Sequence, residues 1–202
     1  MPAFAAITPD ALLDLLAQRA ADLPGHAVIA VDGADAADPL SVARAVADLL
    51  RAAGRPADIV SLHDFVRPAS LRYEHGHADE LSYRTLWFDY AGLDREVLQA
   101  LREHDRWLPA LWNERTDRSA RARIRPAAAG TVLLVAGPML LGRGLTFDLT
   151  VGLRMSEAAL RRGTDPDEQF TLAALREHHA QAGEPDLTVA WDHPDRPAVR
   201  VG

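Results

Sequence analysis

HAVIAVDGADAADPLSVARAVADLLRAA, residues 26–53, is the stretch that decides the fold. Residues 26–33 are a mainly apolar run that ends in glycine, which predicts a buried strand. Residues 41–53 carry apolar side chains at helical spacing, which predicts an amphipathic helix. Between them, Asp38 is a good amino-terminal helix cap, and Pro39 suits the first helical position. The stretch therefore predicts a strand, a loop and a helix that a carboxylate caps.

The flanking sequence extends this unit into an α/β domain. A short apolar strand follows the helix, so the unit predicts a right-handed parallel crossover. Alternating apolar runs and helical segments then predict a three-layer α/β/α fold with a mostly parallel sheet. The further predicted strands are 57–62, 131–136, 147–153 and 187–191, and the further helices are one within 1–25 that starts at Thr8-Pro9-Asp10, then 93–104, 156–162 and 167–182.

Composition limits the class of protein. We expect the 202 residues to form a single domain, 1–202. A net charge of −7 argues against nucleic-acid partners and against binding to anionic membranes. The chain has no cysteine, and all 22 of its Lys+Arg residues are arginine. The start of the chain lacks a basic region followed by an apolar core, and no apolar run is long enough to span a bilayer, so we expect a cytoplasmic protein without membrane contact.

An ordered set of segments resembles one branch of the P-loop kinases, the uridine kinase and phosphoribulokinase-like nucleoside kinases. The resemblance covers residues 26–200, and it implies a P-loop NTPase fold with substrate-side and loop insertions at 66–126 and a lid-like helical segment at 156–183. The segments are VDG (31–33), GRPADIVSLHDFVRP (54–68), RY (72–73), WFDYAGL (87–93), VLLVAGPMLL (132–141), FDLTVGLRMS (147–156) and DLTVAWDHPDRP (186–197).

The phosphate loop of that family is degenerate in this chain. The family pattern starts at a glycine, here Gly33, and has glycine at 38, lysine at 39 and serine or threonine at 40, which hold the phosphates and Mg²⁺. This chain has Asp38, Pro39 and Leu40 there, with Ser41 one place late. The sequence thus keeps the scaffold of a Walker A loop and loses its chemistry.

Two further family positions differ. The acid expected at the end of the third strand is replaced by Ala136, and the proton-accepting aspartate is replaced by His63. A neutral imidazole can accept a hydroxyl proton, so His63 is a candidate catalytic base. Asp64 follows it directly, but neighbouring strand residues point to opposite faces, so Asp64 would not orient the ring within a strand.

Electrostatics predicts that the altered loop excludes ATP. The Asp38 carboxylate would satisfy the helix N–H groups that otherwise face phosphate. Two unit charges ~5 Å apart at an effective dielectric constant of ~20 repel by about 3 kcal/mol. We therefore expect no cofactor, with ATP and Mg²⁺ required only if a divergent loop still holds phosphate. An ion pair of Asp38 with Arg143 or Arg154 that closes an empty cleft is an alternative that the sequence leaves open.

The substrate half keeps more of the family's residue types. By resemblance, Asp89 matches an acid that contacts sugar hydroxyls, and Trp112 lies near a pair that recognises the base. These residues imply a nucleoside-like or sugar-phosphate ligand, and ordinary packing of aromatic side chains is the alternative. The candidate substrate-binding residues are Arg67, Arg72, Tyr73, Asp89, Tyr90 and Trp112.

Several other features have an ordinary structural explanation beside the functional one. Arg161 and Arg162 match the start of the family's lid, whose arginines clamp phosphates, but a solvated helix end fits them equally. The arginine-rich segment 115–126 is predicted to be a surface loop. Histidines at 75, 77, 178 and 179 are metal-ligand types, but their spacing is loose and we expect no metal.

These observations leave two principal hypotheses. The first is a pseudokinase that acts as a ligand- or partner-binding module, with a homodimer or another protein as partner. The second is a divergent phosphotransferase that uses His63 as base and arginines for phosphate. An interaction protein recognised through segment 115–126 is a third.

Overall fold

The computed structural model describes residues 3–201 and contains one seven-stranded sheet flanked by helices. The strands are β1 (Ala3–Ala6), β2 (Ala27–Asp32), β3 (Ala57–Ser61), β4 (Arg106–Trp107), β5 (Trp112–Asn113), β6 (Arg118–Ser119), β7 (Arg125–Pro126), β8 (Val132–Gly137), β9 (Leu149–Arg154), β10 (Leu187–Ala190) and β11 (Ala198–Val201). The helices are α1 (Pro9–Ala21), α2 (Pro39–Ala52), α3 (Ala69–Arg72), α4 (Glu80–Thr85), α5 (Tyr90–Leu93), α6 (Ala100–His104), α7 (Glu157–Gly163) and α8 (Thr171–Gln181).

The sheet is mostly parallel, as predicted. Its strand order is β1-β11-β10-β9-β2-β8-β3, and the five strands from β10 to β3 run parallel. Strands β2 and β8 are buried along their whole length, which explains why both read as continuous apolar runs. Their carboxyl ends lie side by side at the centre of the sheet, and this edge is where α/β proteins place their sites.

Helices cover both faces of the sheet and produce the predicted three layers. On one face α1 and α2 pack against Ile29, Val31 and Leu134. On the other face α5, α6, α7 and α8 pack against Val28 and Leu133. Alternate residues of β2 therefore contribute to different cores. The buried face of α2 follows helical spacing and comprises Pro39, Val42, Ala43, Val46, Ala47 and Leu50.

The two outer strands were not predicted. Strand β1 lies in the segment 1–25, which the sequence indicated only as a helix, and it pairs antiparallel with β11. Each has four residues; β11 also pairs antiparallel with the preceding β10, but β1 finds its partner at the opposite end of the chain, so no local pattern predicts it. The predicted helix itself is confirmed, because Thr8 caps α1 by accepting the N–H of Ala11 at 3.2 Å.

Other boundaries also differ. Helix α8 begins at Thr171 instead of 167, because residues Pro166–Glu168 form a separate 3-10 turn that the Asp165 side chain caps at 3.0 Å. The predicted helix 93–104 is α5 and α6 joined by a π-helical segment, Asp94–Gln99. Segment 115–126 is largely exposed, as predicted, but it takes part in two short ribbons, β4–β7 and β5–β6. Across residues 3–201, none of the helices has the length and apolarity needed to cross a lipid bilayer.

Gly137, at the end of β8, is held so closely that a side chain should not fit. Its φ is +156°, and a Cβ there would lie 2.5 Å from the Cβ of the buried Leu62. We expect Gly137→Ala to lower the free energy of unfolding by about 1–3 kcal/mol, as overpacking does. Gly54→Ala is the matched control, because Gly54 also has a positive φ, +82°, but open space around it. Urea denaturation should show the larger loss for Gly137→Ala, and equal losses would contradict the packing argument.

Candidate functional site

Backbone N–H groups of the loop between β2 and α2 donate hydrogen bonds to carbonyl groups of the same loop. Residues Asp35–Ala37 form a 3-10 turn, in which the N–H of Ala37 donates to the Ala34 carbonyl at 2.8 Å. The N–H of Asp38 donates to the Asp35 carbonyl at 2.9 Å. Two backbone donors of the phosphate-loop segment are therefore already engaged within the loop.

Asp38 caps α2, as the Asp38-Pro39 pair predicts. Its backbone is left-handed, with φ +48° and ψ 57°, and its Oδ1 accepts the N–H of Ser41 at 3.1 Å. Pro39 follows as the first helical residue and has no N–H to offer. The helix terminus that binds phosphate in kinases thus holds a carboxylate of the chain itself.

Two neighbouring parts of the fold contact this loop. A Cβ added to Gly163, at the end of α7, would lie 3.1 Å from the Cβ of Ala36, so the lid-like helix sits directly on the turn. The buried indole of Trp191 donates to the Ala37 carbonyl at 2.9 Å. Rearranging the loop around a phosphate would require both contacts to break.

His63 lies between two carboxylates. Its Nε2 is 2.9 Å from Asp35 Oδ1, and its Nδ1 is 2.8 Å from Glu114 Oε2. Burial alone would lower the pKa of His63, but the hydrogen bonds and charges of Asp35 and Glu114 outweigh it and raise the pKa to about 10. The ring is therefore an imidazolium that donates from both nitrogens, with no lone pair for a substrate proton. This geometry gives no support to His63 as a general base.

Arg72 continues the same network. It is 2% exposed, its Nη1 donates to Glu114 Oε1 at 3.0 Å, and its Nη2 lies 3.4 Å from Asp117 Oδ1. The guanidinium also stands over the rings of Tyr73 and Trp87, at 5.1 and 5.2 Å from their centroids. A cation buried in this way is satisfied by the protein and is not available to a substrate.

Together these side chains form an ion-pair chain, Asp35–His63–Glu114–Arg72–Asp117. It joins the loop after β2, the turn after β3, the β5–β6 hairpin and α3. Two of its five members, His63 and Arg72, are separate candidates in the sequence, and the pairing of Asp35, Glu114 and Asp117 with them was not predicted. Local patterns could not reveal the chain, since His63 is separated from its two partners by 28 and 51 residues.

Asp38 forms no ion pair with Arg143 or Arg154, a question that the sequence left open. Arg154 instead donates to the fully buried Asp32 at 2.6 Å, and Asp32 also accepts the N–H of Leu140 at 2.8 Å. Arg143 donates to the Arg84 carbonyl at 2.8 Å and lies over a tyrosine ring. The Asp32 carboxylate, at the end of β2, has no exposure to water and therefore needs a cation more than the exposed Asp38 does.

The remaining substrate-side candidates use their polar atoms internally. Asp89 accepts the N–H of Gly92 at 2.9 Å and so caps α5. The Tyr90 hydroxyl donates to the Met139 carbonyl at 3.0 Å, and the Trp112 indole donates to Asp117 at 3.0 Å. Tyr73 stacks on a histidine ring at 4.2 Å, and Arg67 is half-buried. The Tyr90 hydroxyl and the Trp112 indole therefore have partners inside the protein, and one oxygen of Asp89 is used in capping α5.

The candidate lid arginines and the candidate metal-ligating histidines also have ordinary structural surroundings. Arg161 and Arg162 are exposed at the end of α7, and Arg161 pairs with Glu157 at 3.3 Å. Burial, followed by the charge of Arg143, lowers the pKa of His178 to about 4. Within residues 3–201, no group of three or more histidines and carboxylates is arranged to hold a metal ion.

The cap at Asp38 generates a stability prediction. Asp38→Ala removes the hydrogen bond to Ser41 and should lower the free energy of unfolding by about 1 kcal/mol. Asp38→Asn should retain the stability, because asparagine caps helices and tolerates left-handed backbone. Chemical denaturation of both variants tests this. If Asn destabilises the protein as much as Ala, the carboxylate has a role other than capping.

The state of His63 generates a pH prediction. Because folding raises its pKa from 6.5 to about 10, the stabilisation is complete below pH 6.5 and is lost as the pH rises towards 10. The side chain keeps 35% exposure, so solvent screening makes the loss smaller than the shift alone implies. Urea unfolding across this window should show stability falling with pH in the wild type. The fall should be absent in His63→Gln, and an equally steep fall there would assign it to other groups.

Comparison with solved structures supports the fold. A possible uridine kinase from Bacillus stearothermophilus aligns with a TM-score of 0.67 and 17% identity over 87% of this chain and 96% of that one. A candidate fructose transport system kinase from Silicibacter sp. TM1040 aligns with a TM-score of 0.63 and 23% identity over 90% and 98%. Phosphoribulokinase from Rhodobacter spheroides aligns with a TM-score of 0.57 and 14% identity over 84% and 73%. No protein-family model and no curated protein sequence matches the chain. The chain therefore has the fold of the P-loop kinases that resemble uridine kinase and phosphoribulokinase.

Proposed function

We propose that this chain is a pseudokinase, a P-loop kinase fold that binds a ligand or partner and does not transfer phosphate. The observation that carries the proposal is the loop between β2 and α2. Its N–H groups at Ala37, Asp38 and Ser41 are bonded to the loop's own atoms, and Asp38 caps the helix. Phosphate binding in this fold depends on those donors pointing at the ligand.

Charge around the loop supports the proposal. Asp35, Asp165 and Glu168 line a small cavity beside the turn. Burial, followed by the charges of Asp35 and Asp165, raises the pKa of Glu168, so these acids already repel one another. A triphosphate would enter this negative field without a lysine to offset it.

The residues at the positions of the family's Mg²⁺ ligands also support the pseudokinase proposal. Leu40 and Ala136 stand where the family has Mg²⁺ ligands, and neither side chain has an oxygen. Ser41, one place late, lies exposed on the first turn of α2, and its N–H is bonded to Asp38. A kinase needs this metal to neutralise charge that develops on the transferred phosphoryl group.

The alternative phosphotransferase has no supporting geometry, because its proposed base is an imidazolium held between Asp35 and Glu114. A nucleoside-like or sugar-phosphate ligand, a second copy of the chain and another protein are the candidate binding partners of the pseudokinase. Binding of such a partner by a pseudokinase would require the folded domain but no residues for phosphoryl transfer.

Calorimetric titration with Mg·ATP, together with a phosphoryl-transfer assay, tests the proposal. We expect no saturable heat at millimolar Mg·ATP and no product. As a matched comparison, the combination Asp38→Gly, Pro39→Lys and Leu40→Ser restores the family residues. Removing one repulsion of about 3 kcal/mol should tighten Mg·ATP binding about a hundred-fold.

Saturable Mg·ATP binding or nucleoside phosphorylation by the wild-type protein would contradict the proposal. Contamination by other kinases is controlled by purifying an Asp38→Ala variant in parallel, since an activity of the protein itself should change in this variant, whereas the activity of a contaminant should not.

A further inference from the structure

A cavity of about 300 Å³ lies under the lid-like helix. We call it the lid cavity, and its walls are Leu153 and Met155 at the end of β9, Leu160 of α7, and Phe170, Leu172 and Ala173 at the start of α8. The volume is at the lower end of the range for small-molecule sites, which are mostly apolar with a few polar groups. The size corresponds to a ligand of about one ring.

The charges at the rim of the cavity compensate one another. Arg161 Nη2 lies 3.3 Å from Glu157 Oε1, and Arg176 Nη1 lies 3.9 Å from the same oxygen. Glu80 adds a second carboxylate to the rim. The two arginines are therefore balanced by two acids, and the rim does not favour an anion such as a phosphate.

Two uncharged polar side chains, Gln169 and His179, line the cavity. The Gln169 amide nitrogen donates to the carbonyls of Arg161 and Thr164 at 3.0 and 2.9 Å, so His179 is the uncharged side chain with a donor left for a ligand. His179 Nε2 lies 3.2 Å from Arg154 Nη1, and since arginine can only donate, Nε2 is the acceptor. Burial, followed by the charge of Arg154, lowers the pKa of His179, so the ring is neutral and carries its proton on Nδ1. Among residues 3–201, the His179 ring makes its hydrogen bond to another side chain through Nε2, which leaves the Nδ1–H for a ligand.

We propose that the lid cavity binds a small uncharged molecule that has an apolar body and one hydrogen-bond acceptor for the Nδ1–H of His179. The apolar walls take the body, the neutral rim excludes charged ligands, and the imidazole fixes the orientation. The proposal rests on the pseudokinase function above and names its ligand class.

Acetophenone is a suitable probe, since it has one ring and one carbonyl acceptor. Ethylbenzene is its partner without the acceptor, and benzoate and phenyl phosphate are anionic counterparts. In ligand-observed NMR titrations we expect saturable binding of acetophenone, about five-fold tighter than ethylbenzene, the typical value of one hydrogen bond. The two anions should bind more weakly than either.

Two variants of α8 locate the site. Ala173→Leu fills the cavity and should abolish acetophenone binding, whereas Ala180→Leu, the same change at an exposed position of the same helix, should leave it unchanged. Intermolecular NOEs from acetophenone to Phe170 and Leu160 give a readout on the wild-type protein that does not depend on how a variant folds.

No saturable acetophenone binding, anions that bind as tightly, or the absence of NOEs to the cavity walls would overturn this inference. None of these results would touch the pseudokinase function, which fails only if Mg·ATP binds or reacts in its own titration.

Discussion

The amino terminus of α2 needs partners for its free N–H groups, and the chain supplies them from its own loop. In an active kinase of this fold, the phosphates of ATP fill that place. Here the Asp38 carboxylate accepts from Ser41, and the turn at Asp35–Ala37 absorbs two further donors. The N–H groups of Ala37, Asp38 and Ser41 therefore have partners without a ligand.

Charged side chains pair between the loop after β2 and the segments that follow β3. Asp35, which belongs to the closed turn, holds one side of His63, and Glu114 holds the other. Glu114 also accepts a hydrogen bond from the buried Arg72. Breaking one member leaves a partly buried charge without its partner, which is costly, so the ion-pair chain keeps the loop and the substrate half together. His63 and Arg72, which the resemblance assigns to the catalytic and substrate-binding positions, form ion pairs within the protein instead.

The sequence was informative where the governing interaction is local. The β2 and β8 runs, the caps Thr8 and Asp38, and the periodicity of α2 each depend on residues within a few positions of one another, and each was predicted. Pairs that cross the fold could not be anticipated in the same way. Arg154 meets Asp32 across 122 residues, and the burial that selects Asp32 over Asp38 exists only after folding. The lid cavity depends likewise on how α7 and α8 meet the end of β9.

The most direct test of the closed loop is an NMR titration that follows the backbone amides of residues 33–41 while Mg·ATP is added. The account predicts that the resonances of Gly33, Ala37, Asp38 and Ser41 do not move, because their N–H groups already have partners within the protein. Saturable shifts concentrated in these amides would show that the loop opens to hold phosphate, and would contradict the account.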